Sequence, residues 1–191
     1  MTDAALVDAL ANARAVRRPS HAREAVREDA LADTGTANDL LRPFLDVPLG
    51  ARDLPAVRSL QLSVVAIVDA LVDGSSPPLD ALNAIAARAP AITVLEHKPD
   101  GGLCATLRPE RASATTALLI EALLELSQLE PTRLRRCARP ECALVFYDTT
   151  RSATQRWHAE RPCGLRERQR RHRDRNPRSR PPSTRNILQT D

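Results

Sequence analysis

Residues 135–175 read RRCARPECALVFYDTTRSATQRWHAERPCGLRERQRRHRDR, and the fold of the C-terminal third turns on this stretch. Four residues separate Cys137 from Cys142, and four more separate His158 from Cys163. Fifteen lie between the pairs, so the pattern is C-x4-C-x15-H-x4-C. A tetrahedral Zn²⁺ needs four soft or borderline ligands, and two short chelating turns joined by a longer excursion supply them at low loop-closure cost. Three thiolates and one imidazole suit zinc best among the common metals, although iron can occupy a similar set.

The aromatic residues point to a separate folded unit in the same place. The chain has four, and Phe146, Tyr147 and Trp157 all lie between Cys142 and His158. A unit this short cannot build a large core, so a metal plus a few bulky side chains is the expected solution. The bland alternative is three reduced thiols and a surface histidine that share this spacing by chance.

The stretch resembles the CGNR zinc finger found at the C-terminus of bacterial ABATE-type proteins, a family of stress-induced transcription regulators. That pattern runs as a cysteine pair, a hydrophobic-Phe-x-Asp-x-Ser-Arg strand and turn, an Arg-Trp-Cys, then Cys-Gly-Asn-Arg and a basic helix. Matching positions here are Cys137, Cys142, Phe146, Asp148, Arg151, Arg156, Trp157, Cys163, Gly164 and Arg166. Two positions depart from it: His158 stands where the family has its third cysteine, and Leu165 where it has asparagine. Histidine is an ordinary zinc ligand, so the metal is expected to persist with altered geometry. The resemblance covers about forty residues closely and the upstream region only in length and order of elements. It implies a DNA-binding regulator.

The net charge of +4 over 191 residues hides a division. Residues 1–130 carry 12 basic and 18 acidic side chains, whereas residues 131–191 carry 16 and 6. An acidic body with a basic end suggests that the end meets a polyanion. The alternatives are that the asymmetry serves solubility, or that body and tail attract each other. With 42% hydrophobic and 27% charged residues, the composition is that of a globular chain. No apolar run near eighteen residues is evident and no signal-peptide order of charges, so no membrane span is expected and a cytoplasmic location is the default. Cys104 lacks a partner outside the proposed metal set, which argues against a disulfide framework.

Taken in order, periodicity predicts a helix over residues 3–16 with Leu6, Val7 and Leu10 on one face and Thr2 as cap. Residues 17–36 are charged and broken by Pro19 and Gly35, and residues 38–45 suggest a short helix interrupted at Pro43. Asp53 and Pro55 open a helix with Val57, Leu60, Val64, Ile67, Val68 and Leu71 inward, ended by Gly74. Ser76, Pro77 and Pro78 open the next, with Leu79, Leu82, Ile85 and Ala86 inward, and the two are expected to pack as an antiparallel pair. Residues 91–96 and 103–107 read as strands around a Lys98–Gly102 turn. Their His97 and Cys104 are more plausibly structural than catalytic. Residues 113–129 form the clearest helix, with Leu118, Leu119, Ala122, Leu123 and Leu126 in one stripe. Residues 144–147 read as a strand and 148–154 as a polar loop. The expected architecture is thus α+β: a mostly helical body with a β-hairpin over 1–130, then a small zinc-ribbon-like module with a basic helix over 131–175. Residues 176–191, rich in proline, serine and arginine, are expected to be disordered.

The basic helix is the functional candidate. Arg166, Arg168, Arg170, Arg171, Arg173 and Arg175 span about three turns, and Arg151 and Arg156 lie in the loop between ligand pairs. A zinc core would fix the start of the helix and leave guanidinium groups for phosphates and guanine edges. No aromatic residues interleave with the arginines, which favours duplex DNA over single-stranded RNA. Glu167 and Asp174 offer local ion pairs, so part of the run can be a solvated helix. A zinc-stabilised protein-interaction module without nucleic-acid binding is the alternative. An enzyme is not expected: four protein ligands leave no open metal position, and no nucleophile motif or phosphate loop is visible. If His158 does not bind, a three-cysteine site with an open position becomes possible. A small-molecule or protein effector of the body fits a regulator, but no residue in 1–130 names one. No dimerisation motif is apparent.

Overall fold

The computed structural model describes residues 4–13, 16–17, 26–27, 29–142 and 144–175. The expected Thr2 cap and the tail over 176–191 lie outside them. Among the described residues, six α-helices surround one core, and three two-stranded antiparallel ribbons complete an α+β fold.

Helix α1 (Ala5–Ala11) buries Leu6, Val7 and Leu10 as its periodicity requires, but it is shorter than 3–16. Its first-turn N–H groups, which have no partner within the helix, are met by a buried carboxylate from elsewhere in the chain: Glu125 accepts from the Leu6 N–H at 3.0 Å and the Val7 N–H at 2.7 Å. Beyond Ala11 the chain leaves the helix because Asn12 is engaged by Val145, donating to its carbonyl at 2.8 Å and accepting from its N–H at 3.0 Å. Val16, expected in the helix, lies in β1 (Val16–Arg17), which pairs with β2 (Val26–Arg27).

Helix α2 (Thr34–Leu41) begins four residues before the expected start. Asp33 accepts from the Thr36 N–H at 3.0 Å and caps it, and Gly35, expected to break structure, sits in the first turn. Pro43 falls in the 3₁₀ turn Arg42–Phe44 that follows. Helix α3 (Leu54–Val72) buries Val57, Leu60, Val64, Ile67 and Val68, and Gly74 (φ +69°) lets the chain turn away. Asp53 does not cap it with its side chain; it accepts from the Gly50 N–H instead. With nineteen residues and a mean hydropathy of 1.5, α3 is long and apolar enough to cross a bilayer, contrary to the sequence expectation. Here it is the central core helix, and its Arg58 binds the Leu31 and Ala32 carbonyls.

Helix α4 (Asp80–Ala86) packs on α3 through Leu82, Ile85 and Ala86. Leu79, expected inward, precedes the first turn and is 48% exposed. Strands β3 (Ala91–His97) and β4 (Leu103–Pro109) form the expected hairpin, two residues longer on β4. Helix α5 (Ala114–Gln128) is capped by Ser113 and buries Leu118, Leu119 and Ala122. After the Pro131–Arg133 turn, β5 (Leu134–Arg136) pairs with β6 (Val145–Tyr147), and α6 (Leu165–Arg175) closes the described chain. Leu134 and Val145 belong to the same buried cluster as Leu6, Leu10, Val64 and Leu118, so the β5–β6 ribbon is seated on the helical body.

Candidate metal centre

The two cysteines of the first pair flank the turn of the β5–β6 ribbon. Cys137 continues β5 and donates its N–H to the Leu144 carbonyl at 2.9 Å. The Cys142 N–H closes the turn onto the Arg139 carbonyl at 2.9 Å. The second arm returns alongside, held where the Ala138 N–H meets the Arg156 carbonyl at 2.8 Å. His158 and Cys163 are thereby delivered to the ribbon turn, His158 just before an irregular turn over Glu160–Gly164 that runs into α6 and Cys163 within it.

All four ligand atoms lie within 4.8 Å of one another, and His158 Nδ1 is 3.4 Å from Cys142 Sγ. A zinc tetrahedron with ligand bonds near 2.0–2.3 Å has edges of about 3.5–3.8 Å. One ion reaches all four donors with sub-ångström adjustments. Cys137 and Cys163 are buried, and Cys142 and His158 half-buried.

The electrostatics favour the same occupant. Burial, reinforced by the neighbouring Cys137, pushes the Cys142 thiol up to about 12. Burial likewise raises Cys163. Burial and then the Arg139 guanidinium hold His158 below its ordinary value, so its ring is neutral and able to ligate. Three crowded thiols, two of them held back from ionising by burial, beside a neutral imidazole, suit one divalent cation. With four protein ligands the site is closed, and zinc bound there is structural.

Residues beyond the four ligands support the site, and Arg139 among them was not singled out by the sequence. Arg139, with only 15% of its side chain exposed, donates to Cys163 and to Glu141 (2.9 Å). Three thiolates around Zn²⁺ leave one net negative charge, and this guanidinium offsets it. The Leu144 N–H donates to Cys142 and favours its thiolate. Asp148, fully buried, organises the loop between the ligand pairs. It accepts from the Thr150 N–H (3.0 Å), the Thr150 hydroxyl (2.5 Å) and the Gln155 N–H (2.8 Å), with Arg135 at 3.7 Å. Burial works to raise the Asp148 carboxyl, but Thr150, Gln155 and Arg135 outweigh it and hold the group below the ordinary carboxylate range. An arginine inside a Cys-x4-Cys turn was the available signal for Arg139; β5 itself, two-thirds arginine, reads as no strand.

The arginines divide into two sets. Arg168 pairs with Glu160, Arg170 with Glu167 (2.7 Å) and Asp174 (3.1 Å), and Arg171 with Glu167 (3.1 Å). Glu167 is 5% exposed, and its carboxyl is drawn down to about 2 by Arg170, against the effect of burial, with help from Arg171. Among the described residues, Arg151, Arg156, Arg166, Arg173 and Arg175 have no carboxylate at ion-pair distance. Arg156 lies over the Trp157 ring, 5.6 Å from its centroid, and Arg175 binds the Arg171 carbonyl. Arg166 is half-buried and the other four are exposed.

A ribbon turn and a returning arm that converge three cysteines and a histidine ahead of a short helix define a zinc-finger class of module. Residues 133–176 match the family model of the CGNR zinc finger, so the chain carries a CGNR zinc finger at its C-terminal side. No curated protein matches the chain significantly. His158 completes the ligand set in this chain, and Leu165 is half-buried at the first position of α6.

Proposed function

We propose that the chain is a DNA-binding regulator of transcription in which the zinc site fixes the base of a basic reading helix, as its resemblance to ABATE-type proteins implies. The observation that carries this is the direct passage from ligand Cys163 into α6, whose six arginines face two acidic residues on the same helix. The unpaired set of Arg151, Arg156, Arg166, Arg173 and Arg175 is the part available to phosphates and base edges. Arg168, Arg170 and Arg171 spend part of their charge on Glu160, Glu167 and Asp174, which favours the second reading, a zinc-stabilised protein-interaction module. In neither reading does the module perform catalysis.

The test is binding of zinc-loaded protein to pooled genomic duplexes at several salt concentrations. Duplex binding predicts that affinity falls steeply with salt, and that Arg166→Ala with Arg173→Ala weakens binding by about tenfold and lowers the log–log salt slope by about two. Enrichment of particular fragments that persists at higher salt supports a sequence-specific regulator. No retention by zinc-loaded protein sinks the DNA reading in favour of the interaction module.

A further inference from the structure

The two sides of α6 differ in what holds their side chains. At about 3.6 residues per turn, Glu167, Arg170, Arg171 and Asp174 share one side, and the ion pairs made within the helix all lie there. Glu167 is the one buried residue of the helix. Glu167 chiefly, with Asp174 and with Glu141 from the turn between Cys137 and Cys142, raises the Arg170 guanidinium above its ordinary value. This side is therefore the one turned to the metal module. The middle of the opposite side is Gln169 and His172, the two positions after Leu165 that hold neither an arginine nor a carboxylate. Both are exposed, and neither makes a side-chain hydrogen bond among the described residues. Arg166 and Arg173 flank them along one edge, and Arg168 and Arg175 along the other.

Resting on the DNA-binding reading, we infer that this side of α6 enters the major groove of duplex DNA, with Gln169 and His172 as the residues that select the base sequence. The dimensions agree. A helix with its side chains is about 10–12 Å across and the major groove about 12 Å wide, so arginines on both edges reach the two phosphate walls. Within each edge the two arginines are seven residues apart, about 10.5 Å, close to three base-pair steps of about 3.4 Å. Arg168 exchanges its exposed pair with Glu160 for a phosphate, at little cost in water. Arg171 borders that second edge but is tied to Glu167, which keeps it back from the wall. Gln169 and His172 are three residues apart, about 4.5 Å along the axis, and so face neighbouring base pairs. Their chemistry divides the reading. A glutamine amide sets a donor beside an acceptor and matches N7 and the N6 amino group of adenine, whereas guanine offers two acceptors at that edge. One imidazole N–H matches a purine N7.

Selection from a pool of random duplexes by the full zinc-loaded chain tests this. The enriched sequence should carry an adenine beside a second purine at fixed positions. Gln169→Ala should lose the adenine preference, about tenfold in affinity, with the salt slope intact because no phosphate contact is removed. Gln169→Glu should move the preference at that position from adenine to cytosine, whose amino group donates to a carboxylate. His172→Ala should relax the neighbouring position alone. Both side chains are exposed, so the variants should keep the zinc stoichiometry and far-ultraviolet circular dichroism of the parent chain. A preference unmoved by either alanine overturns the assignment, and so does duplex binding with no preferred sequence; both results leave DNA binding itself standing. Retention of no duplex at all overturns the assignment and the DNA-binding reading together.

Discussion

Asp148 and the metal ligands show how single side chains hold the C-terminal module in shape. Removing the Asp148 carboxylate leaves two backbone N–H groups and Arg135 facing a dry space. Asp148→Ala should cost about 3 kcal/mol in urea unfolding of the zinc-loaded protein, and Asp148→Asn less. The sign of its pH dependence follows from its lowered pKa. The stabilisation is fully present above the ordinary value of 3.8 and is lost as pH falls through the lower folded value. At the metal, the raised thiols must give up protons to ligate, whereas the neutral His158 has none to lose. Zinc binding near pH 7 should release about three protons per ion, measured with an indicator in weak buffer. Release of two or fewer would remove one cysteine from the ligand set. The ligands were legible in the sequence because chelation imposes a spacing. Asp148 was visible only as a motif position, since its burial follows from how the loop folds over it.

At the scale of elements, the ends of helices are decided by remote partners. Helix α1 starts where Glu125 can reach it and stops where Asn12 is taken by Val145, contacts separated by 118–133 residues in sequence. Asn12→Ala removes both bonds to Val145 and should cost about 2 kcal/mol. Hydrogen exchange should then quicken in α1 and β6 together; acceleration in α1 alone would show that the two elements are not coupled. Helix α6 offers a converse case. Glu167 holds Arg170 and Arg171, so Glu167→Gln frees Arg171, leaves Arg170 with Asp174 alone, and should steepen the salt dependence of duplex binding by about one in log–log slope. An unchanged slope would leave both arginines outside the nucleic-acid contact. Within α3 and α5 the period of apolar residues alone carried the prediction, because each presents a wide stripe to one core. Strand β5 escaped because Leu134 is its single apolar residue, and its arginines are neutralised by Asp69 and Asp148, far away in the chain.

Across the whole molecule, the metal module and the helical body share a seam. Leu134 and Val145 enter the common core, Arg136 pairs with Asp69 at 2.7 Å, and Asn12 bridges to β6. Cys163→Ala should therefore abolish zinc binding and also lower the thermal midpoint of the body, seen by calorimetry as a shift of one transition. A body transition left in place would mean that the seam transmits no stability. What the sequence determined by itself was everything governed by local rules. The ligand spacing selected zinc, the 3.6-residue period placed α3 and α5, and alternation around Lys98–Gly102 drew the hairpin. Only the tertiary structure decided the bounds of α1, the strand at 134–136, and which arginines are paired. Each of these depends on a partner distant in the chain, and neither propensity nor spacing carries information about contacts made at that range.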